Sequence, residues 1–418
     1  MIKNSLLYLA VSALIFTGFT SCDDDDDDHR AGVNTLVVEN VSPTKDFVQS
    51  GTFKVSDEKP EILPGETATV TFYAAKGQAL SFISKYTYAN DIFFAPENPG
   101  IKLFQDNGKA ITGDVSAQVK LWDNGTRINQ APGSNAGRGD GDSKNISMIN
   151  GTDDQGHTYL PASDLMKLTL DFNEATSQFT LTIQNISRGK ANETPFSPGV
   201  WAVSNLTNTG LVNDKPFFEP GKKASDGMTM LAEEGRTSTA EEWVKERTGI
   251  MTSLSPVVAV IYLGLENPIF TLGQKDNGRG LKEFVQKGDY AKLKETLEGM
   301  TLVRKVYILG NQPITPGEKV QSQIEALPGY NIAFVTKFEA SNDWFFANKE
   351  RLESTTLNNI TDRVQLYDNG TGINQYPGAG NKQSMFGGTP DAEDKAISEV
   401  DNFYPVPKVS DLIKVTLQ

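Results

Sequence analysis

Cysteine is nearly absent: the 418 residues hold one, Cys22. A single cysteine cannot close an internal disulfide, so stability must come from packed cores or bound ions. Histidine is almost as scarce, with only His29 and His157, and neither belongs to a repeated constellation. No Gly-x-Ser-x-Gly elbow, phosphate loop or His-rich triad occurs, so the usual nucleophilic and metallohydrolase chemistries have no residues to run on. Basic residues are outnumbered, 39 Lys and Arg against 53 Asp and Glu, for a net charge of −14. That balance argues against nucleic acid or an anionic lipid surface as a general partner and favours a cation. After residue 19 no apolar run is long enough to cross a bilayer as a helix.

The start of the chain is specific. Lys3 precedes an apolar stretch from Leu6 to Phe19, and Thr20-Ser21 lead into Cys22. The stretch falls short of the ~20 residues of a spanning helix. The arrangement resembles a bacterial lipoprotein signal, residues 1–21, cleaved so that Cys22 becomes a lipidated N-terminus that anchors the chain to a membrane. Asp23 to Asp28 then form an unbroken acidic run in a tether, 22–32. Like charges keep such a run extended and solvated. Its place directly behind the lipidated cysteine also resembles the surface-export signal of Bacteroidetes lipoproteins, which implies an outer-membrane lipoprotein facing the cell exterior.

The rest of the chain repeats itself. Asn90-Asp-Ile-Phe-Phe-Ala95 returns as Asn342-Asp-Trp-Phe-Phe-Ala347, and Leu121-Trp-Asp-Asn-Gly-Thr126 returns as Leu366-Tyr-Asp-Asn-Gly-Thr371. Alternating strands ending in Asn-x-Ser occur at 36–42 and 181–187, and Pro-Gly-Glu turns at 64–66 and 316–318. Closing strands match at 163–170 and 410–417. These pairs predict two modules, 33–172 and 178–418, with a boundary near Asn173 to Ser177.

In the first module, alternating runs at 35–41, 47–53, 68–75, 79–88, 101–104, 117–122 and 166–172 predict an antiparallel β-sandwich. Asn40 and Pro64 are 24 residues apart whereas Asn185 and Pro316 are 131 apart, which predicts an insert in the second module over 197–300. The insert repeats internally: Ser197-Pro matches Ser255-Pro, and Phe218 to Gly221 matches Phe270 to Gly273. Each copy ends in a helical signal. Ser238-Thr-Ala-Glu241 has capping-box spacing, and Asp289 precedes Tyr290 to Glu298, where Leu293 and Leu297 share a face. Such helices either cover one end of the sandwich or form a binding surface. The fold class is therefore mainly β, two tandem antiparallel β-sandwiches with a helix-containing insert in the second.

In order and spacing, residues 178–418 resemble the spondin domain of F-spondin and mindin and its bacterial relatives, and 33–172 resemble the same domain without the insert. Ser341-Asn-Asp-Trp-Phe345 and Tyr367-Asp-Asn-Gly-Thr371 carry the resemblance most sharply. It implies a non-catalytic, calcium-binding β-sandwich used in adhesion. The family's metal-site acids fall on Asp343 and Asp368, and on Asp91 and Asp123 in the first module. A further acid six residues after the first Asp falls on Glu97, where the second module has Lys349. The later acid of the family pattern is Arg127 or Gly372 here. If one module alone holds calcium, the expectation is the first.

A second reading of Asp123 and Asp368 stands beside this one: Asx-turn residues whose carboxylates bind their own Asn-Gly turn, with no metal. Arg138-Gly139-Asp140 matches an integrin-binding tripeptide, although tripeptides recur by chance. The functional expectation is a non-enzymatic surface lipoprotein that recognises an extracellular protein or glycan. A fimbrial or filament subunit is the alternative, with Arg30 placed to be cut ahead of the first strand. A glycan-degrading enzyme is disfavoured, since the Asp pairs are its only candidate acids.

Overall fold

The computed structural model describes residues 32–207 and 209–418. The signal 1–21, Cys22 and tether residues 23–31 lie outside the described residues. The chain is mainly β, and its large sheets are antiparallel.

Four sheets make two units of one plan. In one unit, a four-stranded sheet orders strands Thr67–Tyr73, Gln178–Asn185, Met166–Asn173 and Gly113–Asp114. Its seven-stranded partner runs Phe47–Phe53, Phe196–Ser204, Ala79–Tyr86, Ile92–Pro96, Val119–Asp123 and Ser147–Ile149, with Ile101–Lys102 beside Ala79–Tyr86. The other unit repeats this order. Its small sheet is Lys319–Ala326, Gly32–Asn40, Ile413–Leu417 and Asn358–Asn359. Its large sheet is Val303–Leu309, Val257–Tyr262, Asn331–Lys337, Trp344–Asn348, Val364–Asp368 and Ser398–Glu399, with Leu352–Glu353 beside Asn331–Lys337.

The sheets do not divide at 173–177. Strand Gln178–Asn185, expected to open the second module, pairs along its length with Met166–Asn173 and Thr67–Tyr73. Gly32–Asn40, expected to open the first, lies between Lys319–Ala326 and Ile413–Leu417. The expected insert is likewise two halves that part. Phe196–Ser204 joins the first large sheet, and Val257–Tyr262 the second. Neither unit is enlarged. An inner unit, residues 47–249, is nested between the first strand and the remainder of an outer unit.

Two buried asparagines show that the units are permuted copies. Asn40 donates to the carbonyls of Thr252 and Ile314 at 2.9 and 2.8 Å. Asn185 donates to those of Thr194 and Ile62, each at 2.8 Å. Thr252 precedes Ile314 in the chain, whereas Thr194 follows Ile62: the same bracket is assembled from segments in opposite order. The inner unit begins and ends together, because the Gly249 amide donates to the Phe47 carbonyl at 2.9 Å. Adjacent ends are what allow one unit to be inserted in another.

Each unit has a third layer. Helices Asp226–Glu234 and Ser238–Glu246 bury Met228, Leu231, Ala240 and Val244 against Ile83, Phe93, Trp122 and Val200. Helices Leu281–Lys287 and Ala291–Glu298 bury Phe284, Leu293 and Leu297 against Val258, Val335 and Phe345. The helices thus cover the outer face of each large sheet and not one end of the sandwich. Ala79–Tyr86 and Asn331–Lys337 are consequently buried on both faces along their whole length. The expected capping box is not made: Thr237 caps Ser238–Glu246 without a side-chain bond. Tyr290, not Asp289, is the N-cap of Ala291–Glu298, although Asp289 just ahead of it accepts from the Ala291 amide at 3.0 Å.

The units stack end to end. Tyr73 of the inner unit stacks on Tyr376 of the outer, ring centres 5.1 Å apart, with Tyr404 edge-on to both. Gln78 donates to the Gly378 carbonyl at 2.9 Å, and the Asn381 amide to Ser177 Oγ at 2.7 Å.

Candidate metal centre

Strands Ile92–Pro96 and Val119–Asp123 are antiparallel neighbours with Ile92 opposite Asp123. The residue before one strand and the residues after the other therefore meet at the same end of the sheet. That brings Asp91 against the Asp123-Asn-Gly-Thr126 turn across some thirty residues of chain. Trp344 opposite Asp368 does the same for Asp343 and its turn.

The two cradles agree bond for bond. Asp91 Oδ2 accepts from the amides of Thr126 and Arg127 at 2.9 and 2.8 Å and from the Thr126 hydroxyl at 3.2 Å. Asp343 Oδ2 accepts from the amides of Thr371 and Gly372 at 2.7 and 2.8 Å and from the Thr371 hydroxyl at 2.9 Å. Asp123 accepts from the Gly125 amide at 2.7 Å and from Asn129 Nδ2 at 2.6 Å. Asp368 accepts from Gly370 and Asn374 at the same two distances. The first acid of each pair reaches across to the turn, and the second folds back on it as an Asx turn.

Glycine is required in these turns. Gly125 and Gly370 adopt φ of +71° and +68°, and a Cβ on either would lie 2.8 Å or less from the backbone of Lys144 or Lys395.

The unbonded atoms that the two cradles share are oxygens, while Arg127 Nε beside one and Asn342 Nδ2 beside the other are unbonded without a match. Asp91 Oδ1, Asn124 Oδ1 and Asn129 Oδ1 are buried without a hydrogen-bond partner, and so are Asp343 Oδ1, Asn369 Oδ1 and Asn374 Oδ1. Leaving a buried polar atom unpaired costs ~1–3 kcal/mol, so three repeated at equivalent positions call for a partner, an ordered water or a cation. A shared set of bare carboxylate and amide oxygens suits a hard cation such as calcium, which takes six to eight oxygens. Among the described residues no three His, Cys, Asp or Glu side chains are grouped to hold a metal. Each cradle thus has two carboxylates, and amide, backbone or water oxygens would complete the shell.

The electrostatics agree. Burial, then the neighbouring Asp123, pushes the Asp91 carboxyl up to about 6. Burial, then Asp368, pushes Asp343 up to about 7. Each is an acid in want of positive charge. Buried Lys85 lies behind the first cradle, but its Nζ donates to the carbonyls of Ala89, Asn90 and Ala232 at 2.7 to 3.0 Å. It ties the Asp91 loop to a helix, and desolvation lowers its pKa to about 8. Its counterpart Lys337 pairs with Glu339 at 2.7 Å.

Glu97 is not part of the centre. It follows strand Ile92–Pro96 while Asp91 precedes it, and six residues of extended chain put them about 20 Å apart. Its carboxylate is exposed and lies 3.7 Å from Lys120. Lys349 stands at the equivalent far end of Trp344–Asn348, so it adds no charge to the second cradle. The expected inequality between the modules therefore loses its basis.

The departures at Arg127 and Gly372 have a different consequence. Arg127 pairs with the buried Glu233 at 2.6 Å, and Arg138 reaches the same carboxylate at 3.4 Å. In the outer unit Gln286 occupies the helix side of the cradle and donates to the Thr371 carbonyl and hydroxyl at 3.0 and 3.1 Å. Asn124, Asn129, Asn369 and Asn374 are site residues that the sequence reading passes over. Their signal is present in the chain, since Asp-Asn-Gly-Thr-x-x-Asn occurs in both copies with the same spacing.

The cradles differ most in the segments that extend beyond them. Residues 374–383 of the outer unit form the junction, where Gln375 donates to the Ala175 carbonyl at 3.2 Å. Residues 129–145 of the inner unit lie at the opposite, free end, with Arg138 and Asp140 exposed. Compared with known proteins, the chain matches no family model and no curated protein.

Proposed function

We propose that the protein is a surface-exposed lipoprotein that recognises an extracellular protein or glycan without catalysing a reaction, using calcium to hold its loops. The duplicated cradle carries this reading. Both copies keep the same bare oxygens at the cost of burying them, which a purely structural Asx turn would not require. The resemblance to spondin domains and the lipoprotein-like start support it from the sequence side. In this reading the two centres divide the work: the outer one stiffens the junction, and the inner one fixes the free-end loop 129–145. Calcium titration calorimetry on the chelator-treated protein tests the reading, with two sites expected and with Asp91→Asn and Asp343→Asn each removing one. No heat at millimolar calcium would reject the metal.

A filament subunit is the second reading, and the position of Gly32–Asn40 supports it. A strand held between two others and joined to the body at one end is the kind a neighbour's strand could replace. Mature protein recovered from cell surfaces with Cys22 still attached would count against it.

A further inference from the structure

The end of the outer unit opposite its metal cradle carries exposed leucines. Leu263, Leu265 and Leu302 are 38, 77 and 59% exposed there, and Leu272, 50% exposed, continues from them along the helix-side face toward Gly273, whose amide donates to the Ile397 carbonyl at 2.9 Å. The Leu263 amide donates to the Leu302 carbonyl at 2.8 Å, so those two are adjacent. Leu265 and Leu272 line one hollow of about 180 Å³ with Phe270, Tyr367, Lys349 and Arg351. Val33 and Leu357, 61 and 64% exposed, sit at the same end on the other sheet. Among the described residues no such cluster occurs at the matching end of the inner unit, which is covered by the outer unit. Exposed apolar side chains occur elsewhere too, Phe403 beside Tyr404 at 76% among them, but a cluster of them marks a contact surface.

The strand register shows what lies near this surface. Gly32 pairs with Ala326, and Asn331, five residues on, pairs with Tyr262, directly ahead of Leu263. The chain thus enters the fold at the leucine end. Cys22 is ten residues earlier, so the tether spans at most about 35 Å. The junction, the inner unit and loop 129–145 all lie in the other direction.

We propose that this end of the outer unit rests on the bilayer that holds the lipid on Cys22, with the leucines in the headgroup zone and loop 129–145 held away from the membrane. Apolar side chains supply the contact. Lys349 and Arg351 form no ion pair with a described residue and can extend from the hollow to lipid phosphates. Glu266 and Glu350 line the same hollow, so the contact does not depend on a basic surface. The proposal rests on the lipid-anchor part of the functional reading and is independent of calcium.

The test uses the full lipidated chain on phosphatidylethanolamine vesicles, with and without phosphatidylglycerol, containing a doxyl-labelled lipid. With Cys22 acylated, Leu265→Cys and Ser134→Cys each offer one thiol for a fluorophore. Position 265 should be quenched several-fold more than position 134 on both vesicle types, and adding Leu302→Glu should abolish the difference while the protein still floats with the vesicles. Floating with equal quenching at the two positions would overturn the seating and leave the anchor intact. A fluorophore at 265 that is shielded in proportion to protein density but not quenched by lipid would assign the leucines to a second copy and reject the bilayer. Failure of the wild type to float would overturn the anchor and the seating together.

Discussion

Thr371 donates both its backbone amide and its hydroxyl to a single oxygen of Asp343, at 2.7 and 2.9 Å. The other oxygen, Oδ1, is buried and bare. One carboxylate thus has one side committed to the protein and the other open, as a ligand to a cation must. Calcium held at ten times its dissociation constant should add about 1.4 kcal/mol of stability per site. Thermal unfolding with calcium and with chelator measures it. Asp343→Asn should remove the outer site's share while leaving the chelated protein close to wild type, because the amide keeps one oxygen for the Thr371 donors.

The same acids predict a pH dependence. In the folded, metal-free protein Asp91 is raised to about 6 and Asp343 to about 7, against an ordinary value near 4. The native state therefore binds more protons than the unfolded state between these limits. Stability from these groups is present below about pH 4 and is lost as pH rises through 6 and 7, on the order of a few kcal/mol in total. Calcium binds the ionised form, so its affinity should rise over the same window. Urea unfolding at pH 5 and pH 8 in chelator should show the lower midpoint at pH 8. Asp91→Asn together with Asp343→Asn should flatten the difference.

Asn40 and Asn185 hold equivalent brackets in the two units, and each ties two buried carbonyls. Asn40→Ala leaves the buried Thr252 carbonyl and the Ser42 amide without their partner, while the Ile314 carbonyl keeps the Leu254 amide at 3.0 Å. The expected loss is about 2–4 kcal/mol by chemical denaturation, confined to the outer unit. Asn185→Ala should cost less in the inner unit, because the Ile62 carbonyl keeps the Phe196 amide and the Thr194 carbonyl keeps the Ser187 hydroxyl. A loss below about 0.5 kcal/mol for Asn40→Ala would mean that water enters and satisfies the Thr252 carbonyl.

The run at 68–75 is legible because it alternates, as the burial of Thr67–Tyr73 does. Runs at 47–53 and 79–88 correspond to Phe47–Phe53 and Ala79–Tyr86. Ile92–Pro96, the strand next to Asp91, escapes a sequence reading because all five of its residues are buried and it has no period of two. Helix Asp226–Glu234 escapes because its start, Ser225-Asp-Gly-Met, puts a glycine in the first turn; Ser225 nevertheless accepts from the Met228 amide at 3.3 Å. The acids Asp91, Asp123, Asp343 and Asp368 stand out through repetition alone. Repetition cannot reveal partnership: matched segments say which strands are equivalent and nothing about which copy each joins. Glu97 is misplaced for a related reason. Spacing in sequence says six residues, and an extended strand turns six residues into the length of the sheet.

Nesting makes the sharpest prediction about folding. A fragment of residues 41–249 contains every strand of both inner sheets and both inner helices, and its ends meet at Phe47 and Gly249. Expressed alone, it should unfold cooperatively and bind one calcium through Asp91. A fragment of residues 33–172, the division that the repeats suggest, lacks Gln178–Asn185 and Phe196–Ser204. Those strands sit in the interior of the two inner sheets, so Thr67–Tyr73 would lose its only partner and Phe47–Phe53 would be detached from Ala79–Tyr86. It also carries residues 33–40 of the first strand without Lys319–Ala326 or Ile413–Leu417, an unpaired strand of exposed backbone and apolar side chains. The shorter fragment should aggregate or remain unfolded by circular dichroism and proteolysis. Cooperative unfolding of 33–172 with 41–249 unfolded would show instead that each module folds as its repeat is written, and that the strands exchange only when both are present.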